Sequence, residues 1–380
     1  MKQSSYFIAA DAPSSDILAT QVVLALRAKY PGIEAYGICG DSMRRSKVNE
    51  ILPIETTLGE TFKRQETLFT AMIKEQINRL HPDVALFVGY NEFLGRLANY
   101  FSLNKIPTIL YNPPYIDSWP KYKIIELKNS MTKVLGILPN NTTFEKYGFN
   151  YRYVGSPHNE RVSKVMVRPE MFGLTPDDLV ISYLPGTRSA FFFPIFRVLM
   201  KVHRIIRLNF PGAKFLLPLP EHIQVSDIIA KNIISPKQIR KENGSTYIDE
   251  IKLVNGMSLE TLALSRAAIT PPLTSSLEAS LLGVPHLALD PFSWAKARQK
   301  CIVNKIMSAE VVRCFGTTAS VGSIADQLTH LVKDEELRKN LKGKFIELKD
   351  AMGDFLPEEI ADTVGEFTKW QTGKRRRTMG

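Results

Sequence analysis

The sequence predicts an α/β protein of two doubly wound, Rossmann-like domains facing a central cleft. Short apolar runs suited to strands alternate with amphipathic stretches suited to helices, the signature of parallel sheets with right-handed crossovers. The alternation runs from Tyr6 to Val154, breaks, and restarts at Leu179. At 380 residues the chain is also long for a single hydrophobic core.

In the first half, Tyr6–Ala10 reads as a strand. The turn DAPSSD, Asp11 to Asp16, leads into a helix over Ile17–Lys29, with Ser14 or Ser15 as its cap. Leu18, Val22, Ala25 and Leu26 fall close to helical spacing there. Pro31-Gly32 stops the helix and Ile33–Cys39 alternates into a second strand. Glu60–Leu80 is a long amphipathic helix. Val84–Val88 is a continuous apolar run, as expected of a strand buried on both faces, with Gly89 to Glu92 at its C-terminal end. Helix Phe93–Leu103, strand Thr108–Tyr111, loop Asn112–Trp119, helix Lys121–Met131 and strand Lys133–Leu138 follow. Tyr151–Val154 closes this half, Gly155 to Pro157 is a crossover, and Ser163–Gly173 reads as a linker.

The second half opens with strand Leu179–Leu184, the turn Pro185 to Arg188, helix Phe191–Asn209 and strand Lys214–Leu219. Lys252–Val254, Ala268–Thr270 and Pro285–Leu289 are further strands, and Ser323–Lys333, Asp334–Met352 and Pro357–Trp370 are helices. A basic cluster, Lys374 to Arg377, ends the chain. The expected domains are 1–165 and 166–355, with a C-terminal helix and basic tail over 356–380.

Composition narrows the class. Hydrophobic residues at 44% and charged residues at 23% describe a soluble globular protein. Lys+Arg 49 against Asp+Glu 38 gives a net charge of +11, which suits an anionic partner: a nucleotide, an acidic membrane surface or nucleic acid. Cys39, Cys301 and Cys314 form no CxxC, which argues against zinc and fits a reducing compartment. The N-terminal apolar run is short and broken by Asp11, unlike a signal peptide, and no stretch of ~18 apolar residues is long enough to span a bilayer. The histidines His158, His222 and His286 are isolated, and no GxSxG, Walker or GxGxxG pattern occurs.

Ligands of open parallel sheets sit at the C-terminal ends of strands, and four such ends are chemically distinctive. Asp11, Ser14 and Asp16 bring acids and hydroxyls suited to a sugar, or to an ordinary capped turn. Asn91 and Glu92 start a helix, where Glu92 is placed either as a general base or as a surface acid. Leu184 to Arg188 offers a glycine turn and a guanidinium to a diphosphate. Thr274, Ser275 and Ser276 open a short helix whose unpaired N–H groups suit phosphate, with Glu278 one turn on.

Taken in order, these stretches resemble the bacterial lipid-A-disaccharide synthase family, glycosyltransferases of the GT-B class. The resemblance rests on DAPSSD (Asp11–Asp16), the Pro82–Val88 strand, YNPPYIDSW (Tyr111–Trp119), VLGILP (Val134–Pro139), YVGSP (Tyr153–Pro157), LPGTR (Leu184–Arg188), TSSLEASLLGVP (Thr274–Pro285) and Asn304 with Glu310. It implies transfer of 2,3-diacylglucosamine from its UDP-sugar to the lipid acceptor 2,3-diacylglucosamine 1-phosphate, forming a β-1′,6 linkage and releasing UDP. It implies no cofactor, no metal and no nucleic-acid partner. It assigns UDP to Arg188, Thr274, Ser275, Ser276, Glu278, Asn304 and Glu310, and the acceptor side to Ser14, Asp16, Asn91 and Trp119. It places the enzyme in the bacterial cytoplasm, peripheral on the anionic inner face of the cytoplasmic membrane, to which the basic charge is suited. The chain departs from the family where the first acid of a D-x-P-D-F segment falls on Gly89, leaving Glu92 or Asp11 as catalytic carboxylate. Three readings follow: a working synthase, a related glycosyltransferase with another acceptor, and an inactive paralogue that binds UDP-sugar or lipid.

Overall fold

The apolar runs become the two sheets of a computed structural model that describes residues 4–58, 60–117, 119–139, 142–187, 189–220, 222–290, 301–316 and 318–368. The chain divides into two compact units, Met1–Pro157 with Asp354–Gly380, and His158–Gly353.

The first unit carries strands β1 (Ser5–Ala10), β2 (Glu34–Cys39), β3 (Asn49–Pro53), β4 (Val84–Val88), β5 (Thr108–Tyr111), β6 (Lys133–Gly136) and β7 (Tyr151–Tyr153). They lie in the order β3-β2-β1-β4-β5-β6-β7, with every neighbouring pair parallel. Every residue of β1 and β4 is buried, which accounts for their unbroken apolar character. Helices α1 (Pro13–Lys29), α2 (Asp41–Arg45), α3 (Ile54–Leu58), α4 (Glu60–Leu80), α5 (Glu92–Leu103), α6 (Lys121–Ser130) and α7 (Thr142–Lys146) connect the strands. Strand order reverses between β1 and β4, so the open crevice of this sheet lies at their C-terminal ends.

Helix α8 (Pro157–Ser163) leads into the second unit. Its strands are β8 (Val180–Tyr183), β9 (Lys214–Leu219), β10 (Ile239–Glu242), β11 (Ser245–Ile248), β12 (Ile251–Asn255), β13 (Ala267–Thr270), β14 (His286–Asp290) and β15 (Cys314–Gly316). The order is β10-β11-β12-β9-β8-β13-β14-β15, and β10, β11 and β12 pair antiparallel in succession. Here the order reverses between β8 and β13. Helix α9 (Ser189–Asn209) presents Phe192, Ile195, Phe196 and Leu199 to the core with no exposure, so the run of phenylalanines after LPGTR is packing. Helices α10 (Val225–Ala230), α11 (Ser258–Ala263) and α12 (Thr274–Leu281) follow, then helices Ile302–Ile306, Val321–Lys333 and Glu335–Met352.

Several local expectations change. Helix α1 begins at Pro13 with Ala12 as its N-cap and no side-chain cap, so Ser14 and Ser15 stand inside the first turn instead of capping it. Strand β3 and the β10–β11 hairpin are additions to the expected elements. β3 lies at the sheet edge, half exposed and ending in proline, and β10 is a charged, exposed edge strand, IRKE. Neither carries a buried-strand pattern, because edge strands are blunted with charge and proline. The units part at Pro157/His158 and Gly353/Asp354, whereas the expected bounds are 165/166 and 355/356. Residues His158 onward belong with the second unit because Asn159 Nδ2 donates to Lys349 O (3.1 Å) and Gly353 O (2.8 Å), closing the end of helix Glu335–Met352. The expected separate C-terminal segment returns instead to the first unit. There Phe355, Ile360, Ala361 and Val364 of the Pro357–Glu366 stretch and its approach join the core. The basic cluster Lys374 to Arg377 lies outside the described residues.

Ile360 is fully buried in that core. Ile360→Ala is therefore expected to destabilise the first unit by roughly 2–5 kcal/mol, the usual loss for emptying such a site. Urea unfolding measures this, and a change below 1 kcal/mol would mean that the C-terminal helix is not part of the folded unit.

Candidate functional sites

At the β1/β4 reversal the two strand ends are tied together: the Asp11 backbone N–H donates to Val88 O at 3.1 Å. The Asp11 carboxylate then accepts the Ser15 hydroxyl at Oδ1 (2.5 Å) and the Tyr90 N–H at Oδ2 (3.2 Å). Gly89 follows β4 with φ +75°, a left-handed conformation that glycine adopts without strain. A Cβ at position 89 would overlap Asp11 Oδ1 and approach Ser15 Oγ to 2.8 Å. The carboxylate of Asp11 thus occupies the space that a side chain at position 89 would need.

The neighbouring predicted residues take different roles. Ser14 is exposed on the first turn of α1. Asp16 is buried, and its carboxylate accepts the N–H groups of Gly40 (2.8 Å), Ser42 (2.8 Å) and Met43 (3.3 Å). It holds the N-terminus of α2, an arrangement that the sequence reading, which sets Asp16 on the acceptor side, does not contain. Asn91 caps α5, its Oδ1 accepting Leu94 N–H at 2.9 Å. Glu92 begins α5 with its side chain 71% exposed and accepts Lys123 Nζ at 2.8 Å. That hydrogen bond from Lys123 holds its carboxyl below the ordinary glutamate value, which keeps it charged but weakens it as a base. Lys123 also lies over the Trp119 ring, 4.8 Å from its centre, and Trp119 packs 5.1 Å from the Tyr90 ring.

At the β8/β13 reversal, Leu184 N–H donates to Ile269 O at 2.8 Å and locks the LPGTR loop to the end of β13. Arg188 lies outside the described residues. Helix α12 starts at Thr274 and has no side-chain cap, which leaves its first N–H groups suited to an anion. Thr274 is exposed and Ser275 half-buried at this end, but Ser276 is fully buried. The Ser276 hydroxyl is 2.7 Å from His286 Nε2, and His286 Nδ1 is 2.9 Å from Val284 O. A carbonyl only accepts, so Nδ1 carries the proton and Nε2 receives the serine hydroxyl. Burial lowers the His286 pKa to about 4. Ser276 is thereby a core hydroxyl, in contrast to its expected place at the phosphate.

Glu278 is also largely buried; it accepts Arg161 Nη1 at 2.9 Å, and His158 Nδ1 lies 3.4 Å away without hydrogen-bond alignment. Both partners come from α8, and no periodicity or motif in the sequence announces a pairing across that separation. Asn304, expected in the UDP pocket, spends its side chain on the chain itself. Its Oδ1 accepts Val311 N–H (2.9 Å) and Val312 N–H (2.8 Å), and its Nδ2 donates to Val312 O (2.7 Å). It pins the loop that carries the exposed Glu310.

Comparison with known proteins adds a family to this geometry. The family profile described as lipid-A-disaccharide synthetase matches residues 6–295. The lipid-A-disaccharide synthase of Syntrophus aciditrophicus is 25% identical over 378 residues, spanning 93% of this chain and 94% of the relative. Among solved structures, the UDP-GlcNAc 2-epimerase of Neisseria meningitidis bound to UDP-GlcNAc aligns with a TM-score of 0.68 at 12% identity, covering 96% of this chain and all (100%) of that one. The spinosyn rhamnosyltransferase SpnG, complexed with thymidine diphosphate, aligns at 0.61 and 11% identity, covering 95% and 100%. At such identities the structural likeness concerns the fold, which is that of the GT-B glycosyltransferases.

The His286 environment sets a pH dependence. Its pKa of about 4 in the fold lies below the ordinary 6.5 of the unfolded chain. Its contribution is whole above pH 6.5 and is lost as pH falls toward 4, because the unfolded chain binds the proton first. The expected loss is about 1.4 kcal/mol per pH unit in that window. Urea unfolding at pH 7.5, 6.5 and 5.5 should show a flatter pH slope for His286→Gln than for the wild type, and parallel slopes would contradict this assignment.

Proposed function

The chain belongs to the lipid-A-disaccharide synthetase family, and we propose that it transfers 2,3-diacylglucosamine from a UDP-sugar to a lipid-borne glucosamine 1-phosphate acceptor, with Asp11 as the general base. The observation that carries the choice of base is the seat of the Asp11 carboxylate, in the space against Gly89 at the β1/β4 reversal. A carboxylate there can take the proton from the acceptor hydroxyl as it attacks the anomeric carbon, while UDP departs with the electron pair of the glycosidic bond. Ser15 and Tyr90 N–H fix its orientation. Glu92 is the poorer candidate, since Lys123 neutralises it on the exposed first turn of α5.

The donor half of the reading places the leaving diphosphate at the start of α12, where Thr274 and Ser275 stand at uncapped N–H groups. Helix-end N–H groups aimed at a leaving oxyanion stabilise it without reorganisation. Arg188 follows the adjoining loop in sequence, and Glu278, backed by Arg161, stands one turn into α12, suited to the ribose. Asn304 acts at one remove, by holding the Glu310 loop. Among the described residues no helix is long and apolar enough to cross a membrane. A net charge of +11 supports attraction to the anionic inner face of the cytoplasmic membrane, where the lipid substrates would be met.

Transfer is measured by mass spectrometry with UDP-2,3-diacylglucosamine and 2,3-diacylglucosamine 1-phosphate, alongside calorimetric titration of UDP. Asp11→Asn is expected to lower kcat by about 10²–10⁴-fold with UDP affinity unchanged, and Glu92→Gln by far less. The double variant Asp11→Gly with Gly89→Asp, which moves the acid across the same space, is expected to recover part of the rate lost in Asp11→Gly. An unchanged kcat in Asp11→Asn rejects the base; a wild type that binds no UDP rejects the transferase reading altogether.

A further inference from the structure

Beside the Asp11 crevice, α5 and α6 enclose a pocket of about 170 Å³ lined by Tyr90, Glu92, Arg96, Tyr122, Lys123 and Glu126. We propose that this groove binds the phosphorylated sugar head of the acceptor, with Lys123 and Arg96 taking the phosphate; the proposal rests on the transferase reading of the neighbouring crevice. Each part of such a ligand has a counterpart in the lining. Two cations suit a phosphate dianion, and two carboxylates accept hydrogen bonds from sugar hydroxyls. Tyr90 and Tyr122 add to the lining aromatic rings of the kind that packs against the C–H side of a pyranose. The Tyr90 ring is in turn backed by Trp119.

The resting partners of both cations are easily exchanged. Lys123 pairs with Glu92, whose side chain is 71% exposed, and Arg96, 53% exposed, pairs with Glu66. Exposed pairs of this kind add little to stability, so a phosphate can replace the carboxylates at small cost. Position supports the same assignment. Tyr90 lines the groove with its side chain while its N–H holds the Asp11 carboxylate, so one residue joins the two sites. Gly95 keeps the groove open: a Cβ there would come 2.5 Å from the Tyr90 hydroxyl and displace the ring.

The test uses the full chain and soluble probes. Glucosamine 1-phosphate, inorganic phosphate and methyl glucosaminide are titrated by calorimetry into the wild type, Lys123→Ala and Arg96→Ala, with UDP titrated into the same samples. Glucosamine 1-phosphate is expected to bind saturably to the wild type, more tightly than either fragment, and at least tenfold more weakly to each variant, while UDP affinity stays within twofold. In the transfer assay Lys123→Ala should raise the acceptor KM at least tenfold with kcat within threefold. Absence of saturable sugar-phosphate binding, equal binding by the variants, or inorganic phosphate binding as tightly as the sugar phosphate would overturn the groove assignment. A wild type that fails with UDP but binds glucosamine 1-phosphate in this pattern would instead overturn the donor reading and leave the groove standing.

Discussion

A parallel sheet leaves its C-terminal strand ends uncovered only where the strand order reverses, because there the following connections depart to opposite faces. Each half of this chain has one such reversal, β1/β4 in the first unit and β8/β13 in the second. At each, a backbone hydrogen bond ties the residue leaving one strand to the end of the other, Asp11 N–H to Val88 O and Leu184 N–H to Ile269 O. Those bonds set which residues meet. Asp11 is brought to Gly89, and Gly186 to Pro271 in the turn before α12, although in sequence each pair is far apart. The strands beneath both reversals are buried along their whole length, and they form the floor from which these loops depart.

That floor explains why position 89 carries no side chain. A side chain at position 89 would overlap the Asp11 carboxylate from its first carbon, so this space holds one acid. With Asp11 in place, the backbone at 89 turns through the left-handed region, where glycine is the residue of least strain. The pair is therefore one solution in two parts, an acid supplied from β1 and a vacancy supplied from β4. Glu92, three residues further on, belongs to a different surface, where its charge serves to hold Lys123.

Much of this was legible in the residues. The buried strands announce themselves because burial on both faces demands continuous apolar runs, and the helices between them carry helical spacing. The strand ends that matter are readable because glycine, proline and small hydroxyl residues mark tight turns there. Most of what stayed hidden depends on partners remote in sequence. The return of Ile360 and Val364 to the first unit, the pairing of Glu278 with Arg161 and the capping of α2 by Asp16 leave no local periodicity. The edge strands β3 and β10 escaped for another reason, since their exposure and charge erase the pattern by which strands are recognised.

The same dependence on remote partners separates residues with free polar capacity from framework within a single motif. A buried polar atom needs a hydrogen-bond partner, and once its capacity is filled by the chain it has none left for a ligand. Ser276 gives its hydroxyl to His286, Asn304 gives both ends of its amide to the loop at Val311 and Val312, and Asp16 gives its carboxylate to three backbone N–H groups. Thr274, Ser275 and Asp11, standing beside them in sequence, keep exposed surface at the strand ends. Motif matching weights both sets equally, because a residue that holds a loop and a residue that touches a ligand are equally necessary to the pattern. Each polar atom's partners divide them: the framework residues set the positions of the two loops, and the few with capacity to spare are the ones chemically able to meet a ligand.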